Sequence, residues 1–458
     1  MEAIVSLCKR RGFIFPGSDV YGGLSGTWDY GPFGVTLKRN IMQLWWKMFV
    51  DDRDNMFGID AAILMNQKVW QASGHVDTFT DPLVECSNCN ARFRADKIDL
   101  NRCPNCGQKE TFGEARQFNM MFRTFVGPNQ GAEMTIGEPM DDNPRTENLQ
   151  GRKAFTYDET SVSYLRPETA QGIFTNFKNV LDTIYPDLPF GLAQQGKAFR
   201  NEISPRDFIF RSREFEQMEI EYFVHPDNWQ AEFKAWISAI HSWCDALGLP
   251  SNSIHELEVG ESDRAHYSKR TVDFEFDFPI GREELLGLAY RTDFDLQNIQ
   301  RVSGKSMDYR PKDGGAAFVP HVIEPSFGLE RAIMAVLSAA YTEDEVNGEK
   351  RAYLKLPKQL APVKIAVSPL LKNKTELVAK AREVYTNLKQ LYGNVMWDDN
   401  GNIGKRYRRQ DEIGTPYCIV IDFDTIEGDN TETVTIRNRD TTEQIRVPIA
   451  NLQQHLVF

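Results

Sequence analysis

The chain has 458 residues, 41% hydrophobic and 26% charged, which is the make-up of a globular protein with room for two or three domains and a large core. No apolar run reaches the length of a membrane span, and MEAIVSLCKRRGF lacks the apolar core and cleavage site of a secretory signal, so no membrane partner is expected and the cytoplasm is the expected compartment. A net charge of −12 argues at first against nucleic acid, yet KRYRRQDE at 405–412 is a basic cluster, and local clusters override a global sum.

In chain order, residues 35–49 are predicted as an amphipathic helix after the GPFG break, with Val35, Leu37, Ile41, Leu44, Trp45, Met48 and Phe49 near helical spacing. Next come Cys86, Cys89, Cys103 and Cys106 in the pattern C-x2-C-x13-C-x2-C, each pair in a knuckle (CSNC, CPNCG) whose turn residues let two thiolates face one ion. Two disulfides are the alternative, disfavoured in a reducing compartment. Four thiolates leave no open position for water, so the expected metal is a structural zinc. Cys8, Cys244 and Cys418 read as small core residues. Residues 84–160, with the turn-rich GEPMDDNPRTENLQGRK, read as an insertion.

RPETAQGIF at 166–174 opens a helix with Glu168 favoured near its start. KAFRNEISPRDFIFRSREFEQMEIEYF at 197–223 then reads as a hairpin. In a strand over 213–224, Arg213, Phe215, Gln217 and Glu219 share one face, and Met218, Ile220, Tyr222 and Val224 the other. Arg200 and Glu202 share a face by the same rule, and SPRDFIFR supplies turn residues with Arg206 and Arg211. The plain alternative is a half-buried strand whose charged side is solvated. Against it stand the mixture of Arg, Phe, Gln and Glu, with Arg suited to phosphate, and a downstream partner. That partner, PHVIEPSFGLERAIMAVLSAAY at 320–341, reads as a short strand, a Pro-Ser break and a helix with Ile333, Met334, Val336 and Leu337 inward and Arg331 in its first turns.

SGKS at 303–306 is no phosphate loop, because the earlier glycine of that motif would fall on Ile299, and no G-x-G-x-x-G follows a strand. LKLPKQLAPVK at 354–364 marks a domain boundary. Beyond it KIAVSPLL, an amphipathic stretch over 374–392, NVMWDD, a basic helix over 403–413 and PYCIVIDF alternate as in a small α/β domain, followed by a TVTIRN/QIRVPI hairpin and a short helix. Taken alone, IGKRYRRQDEIG reads as a solvated charged helix.

FRNE, REFEQMEIE and PSFGLER resemble motifs 2 and 3 of class II aminoacyl-tRNA synthetases. YGGLSGTWDYGPFGVTLKRNIMQLWW at 21–46, RPETAQGIF, and IEPSFG at 323–328 resemble the single-polypeptide, homodimer-forming glycyl-tRNA synthetases, and the likeness runs from about residue 4 to the C-terminus. The resemblance implies an α+β fold: an antiparallel sheet flanked by helices as the catalytic core, a zinc-knuckle insertion and a C-terminal α/β anticodon-binding domain. The implied divisions are 1–83 with motif 1, 84–160 as the insertion reaching toward the tRNA acceptor stem, 161–356 with motifs 2 and 3, and 363–458 as the anticodon-binding domain. Residues 35–49 become the motif 1 helix, part of whose face meets a second subunit, and 403–413 is expected to touch RNA.

The implied reaction joins glycine to ATP as glycyl-adenylate, with Mg ions on the phosphates, then transfers glycine to the 3′ end of tRNA(Gly). Arg200, Glu202 and Arg331 are the expected catalytic residues. Arg200 matches the position on the α-phosphate, Glu202 orients the adenine amino edge or Arg200, and Arg211 meets the distal phosphates. Phe215 and Arg331 sandwich the adenine. Asn201, Arg213, Leu285 and Gly328 complete the expected ATP site, with Glu284 an ATP or Mg ligand and Arg291 a further phosphate contact. Glu168, Glu219, Glu324, Ser326, Gln217 and, near the insertion, Arg94 match glycine-binding positions. Alanine is then excluded by lack of space, and no editing domain is needed. No protein base for the transfer step is evident, which leaves a substrate phosphate oxygen as one acceptor. A noncatalytic accessory module would have lost such residues, and a serine, threonine or proline enzyme is disfavoured by RPETAQGIF and EFEQMEIE.

Overall fold

The alternation in EFEQMEIEYFV is realised as the strand Glu214–Val224, which lies inside a seven-stranded sheet. The computed structural model describes residues 1–127, 132–135, 153–156, 161–265, 267–346 and 348–458; the turn-rich 137–153 lies, but for its last residue, outside them. Across the sheet the order is Ile254–Glu258, Arg270–Phe278, Gly281–Thr292, His321–Gly328, Glu214–Val224, Phe190–Phe199 and Met56–Gly58, antiparallel throughout except for the last pair.

One face of this sheet packs on Pro32–Trp46, Trp229–Ala246 and Leu329–Ala340. Met218, Ile220, Tyr222 and Val224 point into that layer. Phe327 is its centre, with the rings of Trp243, Phe49 and Trp45 at 5.0, 5.3 and 5.8 Å. Pro32 stands at the first turn of its helix, where a missing N–H costs nothing, which moves the start three residues ahead of the predicted 35. A glycine is required at 34, because a Cβ there would meet the Phe13 carbonyl oxygen at 1.8 Å. Toward its Phe223 end, the other sheet face packs Phe223, Phe190 and Val322 against Ala170–Ile184 and Phe294–Ser303.

Two local expectations are corrected. Pro325 and Ser326 do not break the chain; they lie inside the strand His321–Gly328. The ladder to Glu214–Val224 pairs at 217–219 and again at 222–224, so the N–H missing at Pro325 opens only the gap between. Arg200 and Glu202 share no strand face, since Phe190–Phe199 ends before them and they belong to the loop that returns at Arg213.

The cysteine knuckles follow a small sheet of Arg92–Arg94, Thr80–Glu85 and Arg116–Asn119. Past residue 364 a second sheet runs Val395–Trp397, Ile365–Pro369, Tyr417–Ile421, Thr433–Asn438 and Gln444–Pro448, with its own core around Leu377, Val384 and Ile419 from the helix Thr375–Tyr392 and the central strand. No helix of the described residues is long and apolar enough to cross a membrane.

The basic helix Ile403–Ile413 has the predicted bounds, capped by Asn402 and by Gly414 at φ 81°, but its charges face protein. Arg406 donates to the carbonyls of Pro369, Asp399 and Gly401, Arg409 pairs with Asp398, and Arg408 meets Glu349 and the Lys350 carbonyl. Asp411, 0% exposed, accepts from Arg351 of the strand Glu349–Leu354 at 3.1 Å and from Arg437 at 2.7 Å. Glu412 holds Arg10 and Arg11 of the N-terminal helix Glu2–Arg11. The helix therefore docks the second sheet onto the strand Glu349–Leu354 and the N-terminal helix, and of its basic side chains Lys405 is the exposed one. Truncating one partner of a buried ion pair strands the other, so Asp411→Ala should lower unfolding stability by about 3–5 kcal/mol. Chemical denaturation checks this, and an unchanged midpoint would refute the docking role.

Candidate active site

On the polar half of the sheet, opposite Phe327, lies a cleft of about 370 Å³ walled by the strands 214–224, 270–278, 281–292 and 321–328 and by the loop after Phe199. Its two ends differ in charge.

The inner end is acidic. Glu219 is held from three sides: Ser326 Oγ donates to one oxygen at 2.7 Å, and Thr169 gives its amide (3.1 Å) and hydroxyl (2.5 Å) to the other. Gln217 braces the Thr169 amide and Ser326. Thr169 caps Ala170–Ile184, so the helix start that sequence placed near Glu168 also fixes Glu219. Glu168 is buried beside it, with Gln171 on one oxygen (3.3 Å) and His75 Nε2 3.3 Å from the other. Glu324 is buried and paired with Arg291, whose guanidinium also takes Asp295 through two 2.8 Å bonds.

Crowding sets the protonation of these acids. Burial, with help from Glu219 and Glu168, pushes Glu324 up to about 8 against the pull of Arg291. Burial and the neighbouring Glu168 also raise Glu219. Glu221, one step deeper on the same face, is 0% exposed and both its oxygens lack a hydrogen-bond partner among the described residues. Burial and the neighbouring Glu324 push its carboxyl far up. Glu168 goes the other way: burial would raise it, but the charges of His75, Arg291 and Arg200 prevail and hold it low.

The outer end is cationic and aromatic. The Arg200 guanidinium sits 5.2 Å from the Phe215 ring and 5.5 Å from Phe79, with its Nε on the Pro167 carbonyl. Arg331 lies 4.6 Å from Phe210 and reaches Glu284 at 3.0 Å, which lowers the Glu284 carboxyl. Arg211 pairs with Glu202 at 2.9 Å. Leu285 and Gly328 are also in the wall. An ammonium suits the acidic end, and a polyanion carrying a flat ring suits the other.

Four of the expected site residues stand back from the cleft wall. Arg291 is 1% exposed and engaged behind the acidic end. Arg213 donates to the Ser25 and Glu202 carbonyls and so braces the loop. The Asn201 amide donates to the Met120 carbonyl, and Arg94 pairs with Asp81 and Asp96. Sequence reasoning missed His75, Glu221 and Asp295. Asp295 carried a signal, the i,i+4 spacing from Arg291, and Glu221 continued the face of Gln217 and Glu219. His75 carried none.

Away from the cleft, Cys86, Cys89, Cys103 and Cys106 bring their sulfurs within 4.8 Å of one another, with no disulfide. The 86–106 and 89–103 separations are 3.7 Å. Four thiolates about 2.3 Å from a tetrahedral zinc ion stand about 3.8 Å apart, so the donor set fits.

Residues 154–340 match the family described as tRNA synthetase class II core domain (G, H, P, S and T), and 364–457 match the one described as anticodon binding domain. Glycine–tRNA ligases of Cutibacterium acnes and Caldanaerobacter subterraneus subsp. tengcongensis are 44% identical to this chain, each over 100% of it and over 95% and 97% of their own lengths. That of Clostridium acetobutylicum is 45% identical over 100% of this chain and 98% of its own. Among solved structures, a prolyl-tRNA synthetase of Giardia lamblia in complex with prolyl-adenylate superposes with a TM-score of 0.67 over 98% of this chain and 74% of that one; at 14% identity the likeness is one of fold.

A carboxyl raised in the folded state, from 4.5 to about 8 for Glu324, binds more protons folded than unfolded, so its contribution to stability falls as pH rises through that window. Glu219 and Glu221 act in the same direction, while His321, lowered by burial, opposes them. The unfolding midpoint of Glu324→Gln relative to the parent should therefore rise between pH 5.5 and 8. A flat difference would contradict the raised carboxyl.

Proposed function

The chain belongs to the glycine–tRNA ligase family of class II synthetases, and from that premise we propose that its cleft activates glycine with ATP and passes it to the 3′ end of tRNA(Gly). One observation carries the reading: Glu168, Glu219 and Glu324, all buried, line the same end of the cleft, where three carboxyls suit an ammonium. Glycine has an ammonium, a carboxylate and nothing else to hold.

In the proposed pose the ammonium meets these carboxylates, with Ser326 and Gln217 keeping Glu219 in place. Burial raises the carboxyls of Glu324 and Glu219 in the empty cleft, and an entering cation favours their charged forms, so binding releases protons. The glycine carboxylate then points at the outer end, where Phe215 and Arg331 hold the adenine between them and Arg200 takes the α-phosphate. A glycine carboxylate oxygen forms a bond to the α-phosphorus, and the bond from phosphorus to the departing oxygen breaks. Pyrophosphate leaves beside Arg211, and Arg200 neutralises the charge that builds on the α-phosphoryl oxygens. Mg carried in with ATP supplies further neutralisation of the phosphates, and Glu284 at the mouth would hold it. A terminal adenosine hydroxyl then attacks the glycyl carbonyl carbon and AMP departs. Arg291, Arg213, Asn201 and Arg94 act at a remove, holding the groups that touch substrate.

The remaining assignments belong to the same proposal. The core spans 1–83 and 161–356, interrupted by the 84–160 insertion and followed by an anticodon-binding domain over 363–458. The cysteine cluster holds a structural zinc. A second copy of the chain covers the loop ahead of motif 1, where Val20, Tyr21 and Leu24 are 87%, 92% and 60% exposed. The compartment is the cytoplasm, where tRNA is charged.

Glycine-dependent ATP/pyrophosphate exchange without tRNA tests the activation step. Glycine alone among glycine, alanine, serine, threonine and proline should support it, and Glu219→Gln should raise the KM for glycine about tenfold or more with the KM for ATP little changed. Exchange with another amino acid would sink the pocket assignment. For the metal, purified protein should carry close to one zinc per chain, and Cys103→Ser should lose it; a zinc-free parent with four reduced thiols would refute the site.

A further inference from the structure

His75 is built into the acidic end from behind. It opens the short helix His75–Thr78, which follows Gln67–Ala72 after a turn at Gly74, where φ is 84° and a side chain would be strained. Its side chain is 10% exposed, with the rings of Phe79 and Trp70 at 5.3 and 5.5 Å. Nε2 is 3.3 Å from Glu168, and Nδ1 is 2.8 Å from Ser73 Oγ. The Ser73 hydroxyl is 3.4 Å from the Trp70 carbonyl, so its close contact is the one with Nδ1. Nε2 faces a carboxylate and is the nitrogen that donates, while Ser73 fixes the ring from the other side.

Glu168 otherwise sits in a divided field. Arg291 from Gly281–Thr292 and Arg200 from the loop favour its charge; Glu219 and Glu324, from the two strands beneath, oppose it. Asp295 of Phe294–Ser303 shares Gln171 with it. Arg291 is already committed to Asp295 and Glu324, and Arg200 faces the outer end. That leaves His75 and Gln171 as the side-chain donors in direct contact with Glu168.

We propose that His75 is a positioning residue for amino-acid recognition: its Nε2–H holds one Glu168 oxygen and keeps that carboxylate aimed at the substrate ammonium. The proposal rests on Glu168 as an ammonium ligand. His75 itself touches no substrate.

The test is pyrophosphate exchange from pH 6 to 9 with the parent, His75→Ala, His75→Gln and Glu168→Gln. Without the His75 contact the Glu168 carboxyl loses a partner that holds it low, so in His75→Ala the acid limb of kcat/KM for glycine should move up by about one pH unit or more. The KM for glycine at pH 7 should rise about tenfold, the loss should shrink by pH 9, and the KM for ATP should stay within about twofold. His75→Gln, which keeps a neutral donor, should fall between. Equal losses for glycine and ATP with an unmoved limb would mean a merely structural histidine. A Glu168→Gln variant with the parent's KM for glycine would remove the premise, whereas damage there with His75→Ala unimpaired would overturn the role of His75 alone.

Discussion

The buried guanidinium of Arg291 is what makes the acidic end affordable. Five carboxyls gather there from four parts of the chain: Glu168 ahead of a helix, Glu219 and Glu221 from one strand, Glu324 from another and Asp295 from the helix Phe294–Ser303. Unpaired charges of one sign cannot share a low-dielectric site. Arg291 takes two of them, its flat face resting 3.7 Å from the Tyr267 ring and 5.2 Å from Phe174, so it is held in one orientation. His75 meets a third, and Glu219 is stabilised by hydroxyl and amide donors. Glu221 has none of these partners, and burial raises its carboxyl far above the usual range. The site is thus a graded set of acids, each with a different partner and a different tendency to hold its proton.

That arrangement depends on the apolar layer beneath it through the pleat of single strands. Ser326 and Gly328 look into the cleft, while Phe327 between them is clamped by Trp45, Phe49 and Trp243. In the neighbouring strand Gln217 and Glu219 face the cleft, and Met218 and Ile220 the core. A one-residue slip in either strand would put carboxylates into the aromatic layer and rings into the cleft, so burial on one side fixes the register of the chemistry on the other. Adjacent residues do opposite jobs, and neither job can move without the other.

The parts of this design that repeat along the chain were legible. The period of two in EFEQMEIE predicted both the strand and which side chains enter the cleft, and the helices 403–413 and 329–340 were marked by caps or by apolar runs. Features set by tertiary pairing were not. Arg200 and Glu202 have strand-like spacing but sit in a loop, because the partner strand begins only at Glu214. Pro325 has the look of a break, but the strands on both sides hold its neighbours in register. His75 reaches Glu168 across 93 positions of sequence, and no local pattern foretells a single contact of that kind.

The basic helix shows the limit most clearly. Its composition points outward, to RNA or to solvent, but a run of arginines cannot reveal where their carboxylates and carbonyls lie. Here they lie on the strand Glu349–Leu354, on Asp398 and within the second sheet. The consequence is mechanical. Apolar docking tolerates sliding, whereas the Arg351–Asp411–Arg437 pairing, buried and directional, loses its balance with small displacements. Glu412 adds Arg10 and Arg11 from the far end of the chain, so the dock engages the N-terminal helix as well as the strand Glu349–Leu354. These pairs tie the part of the chain that matches an anticodon binding domain to the strand Glu349–Leu354 and the N-terminal helix through charges rather than through an apolar seam.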